Sequence, residues 1–302
     1  MILTVTPNPA IDLTYRVAAL EPGETHRVAP PAARAGGKGL NVARVIAQTG
    51  GASFVLTTAG GASGLRLADD LEASGLPSEL IPVAAPTRSS VAIVDEGSGV
   101  ATILNETGAG LSPAEWTALR EAVERLAVPA TAIVGSGSLP PGAPESFYAD
   151  LVEVATRRGI PSVVDASGTA LLAAAEAGAD VLKPNRRELA DTVGLDDPVA
   201  GARVLLAAGA GLVLVSLGAD GMLAVGESRT WSARLPRPLA GNATGAGDAA
   251  VAALATALAA GITDPAVLVR RATAWSAAAV VAPLADELDP AYPEYEARLV
   301  TS

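Results

Sequence analysis

Thr244-Gly245-Ala246-Gly247-Asp248 runs straight into Ala249 to Ala260, a stretch of small apolar residues that reads as a buried helix. Glycines lack Cβ, so backbone N–H groups there can approach an anion closely, and the first turn of a helix leaves its N–H groups unpaired. The helix dipole places roughly half a positive charge at that end, which favours phosphate. The same dipole stabilises Asp248 as a carboxylate, placed to accept a proton from an attacking hydroxyl. The five residues therefore predict an anion hole beside a base. They would also suit an acid near the start of a core helix, and the rest of the chain has to decide.

Half of the 302 residues are apolar, enough for one large core, and with three Trp, four Tyr and two Phe that core rests on small side chains. The net charge of −11 argues against a broad nucleic-acid or anionic-membrane footprint, so an anionic substrate would depend on a few local cations. The absence of cysteine excludes disulfides, thiol catalysis and thiolate metal sites, and His26, the sole histidine, excludes a multi-histidine metal site. No charged segment precedes an apolar stretch at the N-terminus and no apolar run reaches membrane length, so the expectation is a soluble, cytoplasmic protein.

Working outward, Ile2 to Thr6 reads as a buried strand stopped by Pro7-Asn8-Pro9, and Ile11 to Val17 alternates, with Asp12 on its polar face. An extended stretch is expected around His26 to Ala35, leading into Gly36-Gly37-Lys38-Gly39 and a helix from Leu40 to Gln48. Those glycines bring backbone, Lys38 and Asn41 near something polar, or simply form a flexible turn with a solvated lysine. Neither the Walker spacing nor a dinucleotide G-x-G-x-x-G is present. Arg88 to Asp95 and Val100 to Asn105 read as a hairpin. From Thr131 to Leu217 short apolar strands alternate with helices, which predicts an α/β fold: a mostly parallel central sheet with helices on both faces. Ligands bind beyond the C-terminal ends of such strands, where the loops at Ser136, Lys183 and Ser216 fall.

Asn185 and Glu188 lie three apart at the start of a helix. The pair suits hydrated Mg²⁺ near phosphates, and suits a reciprocal helix cap equally well. Two β-rich segments, at about 12–36 and about 84–107, stand outside the alternation. They predict a small β-sheet lid on a single domain spanning 1–302, covering the cleft against water.

Together these motifs resemble the ribokinase-like (PfkB) carbohydrate kinases over nearly the whole chain, from Asn8-Pro9-Ala10-Ile11-Asp12 through Gly36 to Arg44 and on to Gly245-Ala246-Gly247-Asp248. Thr87-Arg88, Ser136 to Gly142 and Lys183 to Leu189 are similar to the hexose-phosphate branch: 1-phosphofructokinases, tagatose-6-phosphate kinases and minor 6-phosphofructokinases. The resemblance implies ATP-dependent phosphorylation of a ketohexose phosphate (fructose 1-phosphate, fructose 6-phosphate or tagatose 6-phosphate) to the bisphosphate, with Mg²⁺. It implies that Asp12, Gly37 and Asn41 hold sugar hydroxyls while Lys38 and Arg88 face the substrate's phosphate. Lys183, Asn185 and Glu188 would organise the ATP phosphates and Mg²⁺, the metal through water, and Ser216, Gly218 and Gly221 would line the nucleotide site. Asp248 would be the base, and the amides of Gly245, Ala246 and Gly247 the anion hole, which also touches ATP. The lid would pair two subunits into a homodimer.

Two departures from the family pattern stand out. Ser89-Ser90-Val91-Ala92 follows Arg88 where many 1-phosphofructokinases carry an asparagine and a lysine, so fructose 1-phosphate is not singled out. Asn242-Ala243-Thr244 replaces a frequent Asp-Thr pair, which leaves a monovalent-cation requirement open. The competing readings are a kinase of an unphosphorylated sugar or nucleoside, and a non-catalytic sugar-phosphate-binding protein. Asp248 and the Asn185/Glu188 pair speak against the second, since a binder needs neither.

Overall fold

Along the first strand Leu3 and Val5 face one side and Ile2 the other, and all three are buried. The same division recurs in each central strand: Ile133 against Val134, Val164 against Val163, Leu182 against Val181, Val213 against Leu214. Side chains alternate across a strand, so an unbroken apolar run is what a sheet covered on both faces requires.

The computed structural model describes residues 1–282 and 286–302. In chain order its strands are β1 (Ile2–Thr6), β2 (Ala10–Val17), β3 (Ala32–Gly36), β4 (Ser53–Ala59), β5 (Ser78–Pro82), β6 (Arg88–Asp95) and β7 (Ala101–Asn105). There follow β8 (Ala132–Ser136), β9 (Ser162–Asp165), β10 (Val181–Leu182), β11 (Leu212–Ser216), β12 (Met222–Val225), β13 (Thr230–Arg234) and β14 (Val300–Thr301). The helices are α1 (Lys38–Gln48), α2 (Gly61–Ala73), α3 (Pro113–Leu126), α4 (Phe147–Arg158) and α5 (Thr169–Glu176). After them come α6 (Arg186–Val193), α7 (Pro198–Ala208), α8 (Ala246–Ala259), α9 (Pro265–Val281) and α10 (Tyr292–Ala297).

The large sheet runs β14-β13-β12-β11-β10-β9-β8-β1-β4-β5, parallel from β5 to β11 and antiparallel beyond. Helices α3, α4, α5 and α7 cover one face, and α1, α8 and α9 the other. Ala249 to Ala255 are entirely buried, because α8 lies between the sheet, α1 and α9. A helix enclosed on all sides must be apolar all round, and alanine lets its neighbours approach closely.

The segments outside the alternation form a second sheet, β3-β2-β6-β7. Its β2–β6 pair is parallel and its outer pairs antiparallel. The extended stretch expected from His26 is a strand only over Ala32–Gly36, because Pro30 and Pro31 have no N–H to extend the ladder. Two elements fall outside what the periodicity predicts. Helix α7 carries a start signal, with Asp197 capping Val199 and Pro198 in the first turn, but Gly201 interrupts its pattern. Strand β14 is too short to show a period.

Candidate active site

The C-terminal ends of β1, β8, β9, β10 and β11 open onto one cleft of about 1130 Å³, bordered by the second sheet. Asp12, Gly37, Lys38, Asn41, Arg88, Lys183, Asn185, Glu188, Ser216, Gly218, Gly221 and the run Gly245 to Asp248 all line it. Residues as far apart in sequence as Asp12 and Asp248 thus share one space.

At its floor, Gly245 takes a left-handed conformation, φ 83°, and turns the chain into α8. Of the amides that follow, Ala246 N–H donates to the Ala243 carbonyl at 3.2 Å, while those of Gly247 and Asp248 belong to the open first turn, beside the cleft. A Cβ on Gly247 would stand only 3.3 Å from Lys183 Nζ, so glycine lets that ammonium lie against the turn. Asp248 is buried, and Asn41 Nδ2 donates a hydrogen bond to its Oδ2 at 2.8 Å. Burial lifts its pKa to about 7, against the opposing pull of Lys38 and the Asn41 hydrogen bond. A carboxyl poised there is matched to accept a proton near neutrality.

Lys38, 38% exposed at its side chain, is held by carboxylates: its Nζ lies 3.2 Å from Asp165 Oδ1 and 3.5 Å from Glu188 Oε1. Burial works to lower its pKa, but the carboxylates of Asp165, Glu188 and Asp248 outweigh that and raise it. Asp165 ends β9, is fully buried, and also faces Lys183 Nζ at 3.7 Å. Its burial would raise the pKa, and the two ammonium groups together hold it below the usual carboxylate range.

The Asn185/Glu188 pair forms the reciprocal cap in full. Asn185 Oδ1 accepts from Glu188 N–H and Glu188 Oε2 accepts from Asn185 N–H, both at 2.8 Å. The cap leaves Glu188 Oε1 for the cleft, facing Lys38. Among the described residues Asp165 Oδ2 has no hydrogen-bond partner, and it faces the Lys183 ammonium. One hard carboxylate oxygen open to the cleft, Glu188 Oε1, suits a divalent cation that keeps most of its waters, so the residues fit hydrated Mg²⁺. Glu188 would hold it through water, with Asn185 orienting Glu188.

On the other side Arg88 opens β6. Its Nε donates to Asn8 O at 3.2 Å and its Nη1 to Glu106 O at 2.9 Å, which fixes the guanidinium at the edge of the cleft. Burial lifts the Asp12 pKa to about 6, while Arg88 and a hydrogen bond from Ser90 pull it down. Its carboxyl occupies the space a Cβ on Gly36 would need, so a side chain at position 36 would displace the Asp12 carboxyl. Asn8 Nδ2 ties the β1 loop to Thr107 O at 3.1 Å and to Ser138 Oγ at 3.3 Å.

Asp165 is a cleft residue outside every motif the sequence shows, and Asn8 and Ser138, though inside motifs, carry no expected role there. The available signal for Asp165 is a charge ending a buried strand, Ser162-Val163-Val164-Asp165, at the ligand-binding edge.

Sheet, second sheet and floor together define a ribokinase-like α/β kinase. The chain belongs to the pfkB family of carbohydrate kinases: the family profile described as pfkB family carbohydrate kinase matches residues 5–291. It is 37% identical over 287 residues to a 1-phosphofructokinase of Xanthomonas campestris pv. campestris, covering 91% of this chain and 89% of that protein. It is 36% identical over 267 residues to the ATP-dependent 6-phosphofructokinase isozyme 2 of Mycobacterium tuberculosis, covering 86% and 78%. Among solved structures, phosphofructokinase-2 from Escherichia coli in complex with fructose-6-phosphate superposes with a TM-score of 0.87 at 31% identity, over 98% of both chains.

Proposed function

We propose that this kinase transfers the γ-phosphoryl group of ATP to a free hydroxyl of a ketohexose phosphate, giving the bisphosphate. The observation that carries the reading is a buried Asp248 at a helix N-terminus, sharing one cleft with Arg88 on the second sheet. The relatives are named for phosphorylating fructose 1-phosphate or fructose 6-phosphate, which supports that substrate class.

In this reading the substrate hydroxyl lies against Asp248, and its oxygen attacks the γ-phosphorus in line. The new O–P bond forms as the bond to the bridging oxygen of ADP breaks, and the hydroxyl proton passes to the Asp248 carboxylate. Phosphoryl transition states are loose, so positioning and charge neutralisation carry most of the rate. Asn41 fixes Oδ2 of the base, leaving Oδ1 for the proton. The amides of Gly245 and Gly247 take up charge on the transferring group, while that of Ala246, expected in the anion hole, is held by the Ala243 carbonyl. Lys38, expected with Arg88 at the sugar's phosphate, lies beside Asp165 and Glu188, and in this reading its ammonium serves the phosphoryl group in transit, with Lys183 on the ATP side. A bound Mg²⁺ supplies neutralisation of the ATP phosphates. Arg88 grips the phosphate already on the sugar, Asp12 and Gly37 its hydroxyls, while Ser216, Gly218 and Gly221 border the nucleotide.

The second sheet acts as a lid that excludes water from the transfer. Its edge strand β7 is exposed along its whole length and carries Ile103 and Leu104 on the surface, next to Val100. Exposed apolar residues on an unpaired edge need cover. A second copy of the chain supplies it, so the working form is a homodimer joined through its lids. ATP consumption measured across ribose, fructose, fructose 1-phosphate, fructose 6-phosphate and tagatose 6-phosphate tests the reading. Turnover confined to unphosphorylated sugars, or absent throughout, refutes it.

A further inference from the structure

Behind the sugar end of the cleft lies an ion network that no step above uses. Arg44 on α1 is buried, and its Nη1 donates to Asp286 Oδ2 at 2.8 Å and to the Ala35 carbonyl at 2.7 Å. Its Nη2 donates to Asp70 Oδ2 on α2 at 2.8 Å. Arg34 on β3 donates to the other oxygen of Asp286 at 2.7 Å. The Ala35 N–H donates to Asp70 Oδ2 at 3.1 Å. Gln48 and Leu288 exchange two further hydrogen bonds, at 2.8 and 2.9 Å, which tie the segment after Asp286 to α1.

Stability alone does not account for such a device. Ion pairs removed from water cost several kcal/mol per charge, and apolar side chains of similar size often stabilise as well or better. What the network supplies is position. Among the described residues, strand β3 is an edge strand paired with β2. Both backbone polar groups of Ala35 point away from β2 and are met by charged side chains, Asp70 at the N–H and Arg44 at the carbonyl. One residue on, Gly36 seats the Asp12 carboxyl, and two further on Lys38 enters the cleft. Asp12 itself pairs with Arg34 across the β2–β3 ladder. Where β3 lies therefore decides where Asp12, Gly37 and Lys38 lie.

We infer that Arg44 and Asp286, with Arg34 and Asp70, are positioning residues for sugar binding: they clamp the free edge of β3 to the core and so set the geometry of Asp12 and of the Gly36–Lys38 turn. The inference rests on the proposed sugar-holding role of Asp12. The clamp holds the β3 edge of the second sheet, and β7 forms the opposite edge.

The test compares wild type with Arg34→Gln, Asp286→Asn and the apolar double variant Arg44→Met/Asp286→Leu. Its readouts are KM for the sugar phosphate, KM for ATP, and hydrogen exchange at the Ala35 amide. Misplacements remote from the chemistry cost up to about a hundredfold. The expected result is a rise of roughly tenfold or more in sugar-phosphate KM with ATP KM within about twofold, and faster exchange at Ala35. Arg34 is 36% exposed at its side chain, so Arg34→Gln folds whatever befalls the others. The double variant keeps its melting temperature yet retains the raised sugar KM. Unchanged sugar KM in a folded Arg34→Gln, equal shifts in both KM values, or wild-type KM in the double variant each overturns the clamp. Failure of wild type to turn over any ketohexose phosphate would instead refute the function proposed above, so the two failures are distinguishable.

Discussion

Replacing Asp248 by asparagine should remove activity and raise stability together, and the second effect should depend on pH. Burial holds the carboxyl at about 7 against an ordinary value of 3.8, so between these values the folded chain keeps a proton that the unfolded chain has lost. A state that binds the extra proton loses stability as pH rises, so stability falls through this window and the full cost applies above about pH 7. At 1.36 kcal/mol per unit the cost reaches on the order of 4 kcal/mol. Asparagine keeps the shape, can still accept from Asn41 Nδ2, and does not titrate. Between about pH 5 and about pH 8 the ligand-free variant should therefore gain roughly 2–3 kcal/mol relative to wild type. Asp12 titrates near 6, but it is present in both proteins and cancels in the difference. The assay is urea unfolding of both proteins at several pH values, alongside kcat. The turnover number should fall about a hundred- to ten-thousand-fold. Parallel stability curves would show that burial does not strain this carboxylate, and near-full turnover would reduce the motif to a helix start.

Arg88→Ala should cost about 2–5 kcal/mol in kcat/KM on fructose 6-phosphate or fructose 1-phosphate and little on free fructose, as for a buried charge pair; equal losses on both would sink the hexose-phosphate reading. Glu188→Gln keeps an oxygen for the Asn185 N–H, so stability should change by about a kcal/mol or less while the Mg²⁺ concentration for half-maximal rate rises. An unchanged Mg²⁺ titration would leave Glu188 with the cap alone. Leu104→Lys puts a charge on the exposed edge strand β7, and sedimentation should show dimer giving way to monomer; an unaltered sedimentation profile would remove the lid from the interface.

Much of the architecture was legible locally. The β-rich runs at Ile2 to Thr6 and Leu212 to Ser216, apolar on both sides of the strand, require a sheet buried on both faces, and the alanine run after Asp248 requires an enclosed helix. Gly245 at the start of that helix, and Gly37 at the start of the helix that opens on Lys38, marked turns whose residues line the cleft. These are properties of neighbours in sequence, and period and turn chemistry express them directly.

Other features needed the fold. Spacing left Asn185 and Glu188 open between cap and metal; the backbone shows the cap formed and one carboxylate oxygen left over. Lys38 and Asp165 stand 127 residues apart, Asn41 and Asp248 207 apart, and Arg44 and Asp286 242 apart, so no local pattern announces any of these pairs. The first two pairs meet because parallel crossovers bring the C-terminal ends of β1 and of β8 to β11 to one edge, and the third because α1 packs against the segment that follows α9. The pKa values of Asp248 and Asp12 follow from the same cause. Desolvation depends on everything packed around a carboxyl, and that environment exists only once distant segments have closed over it.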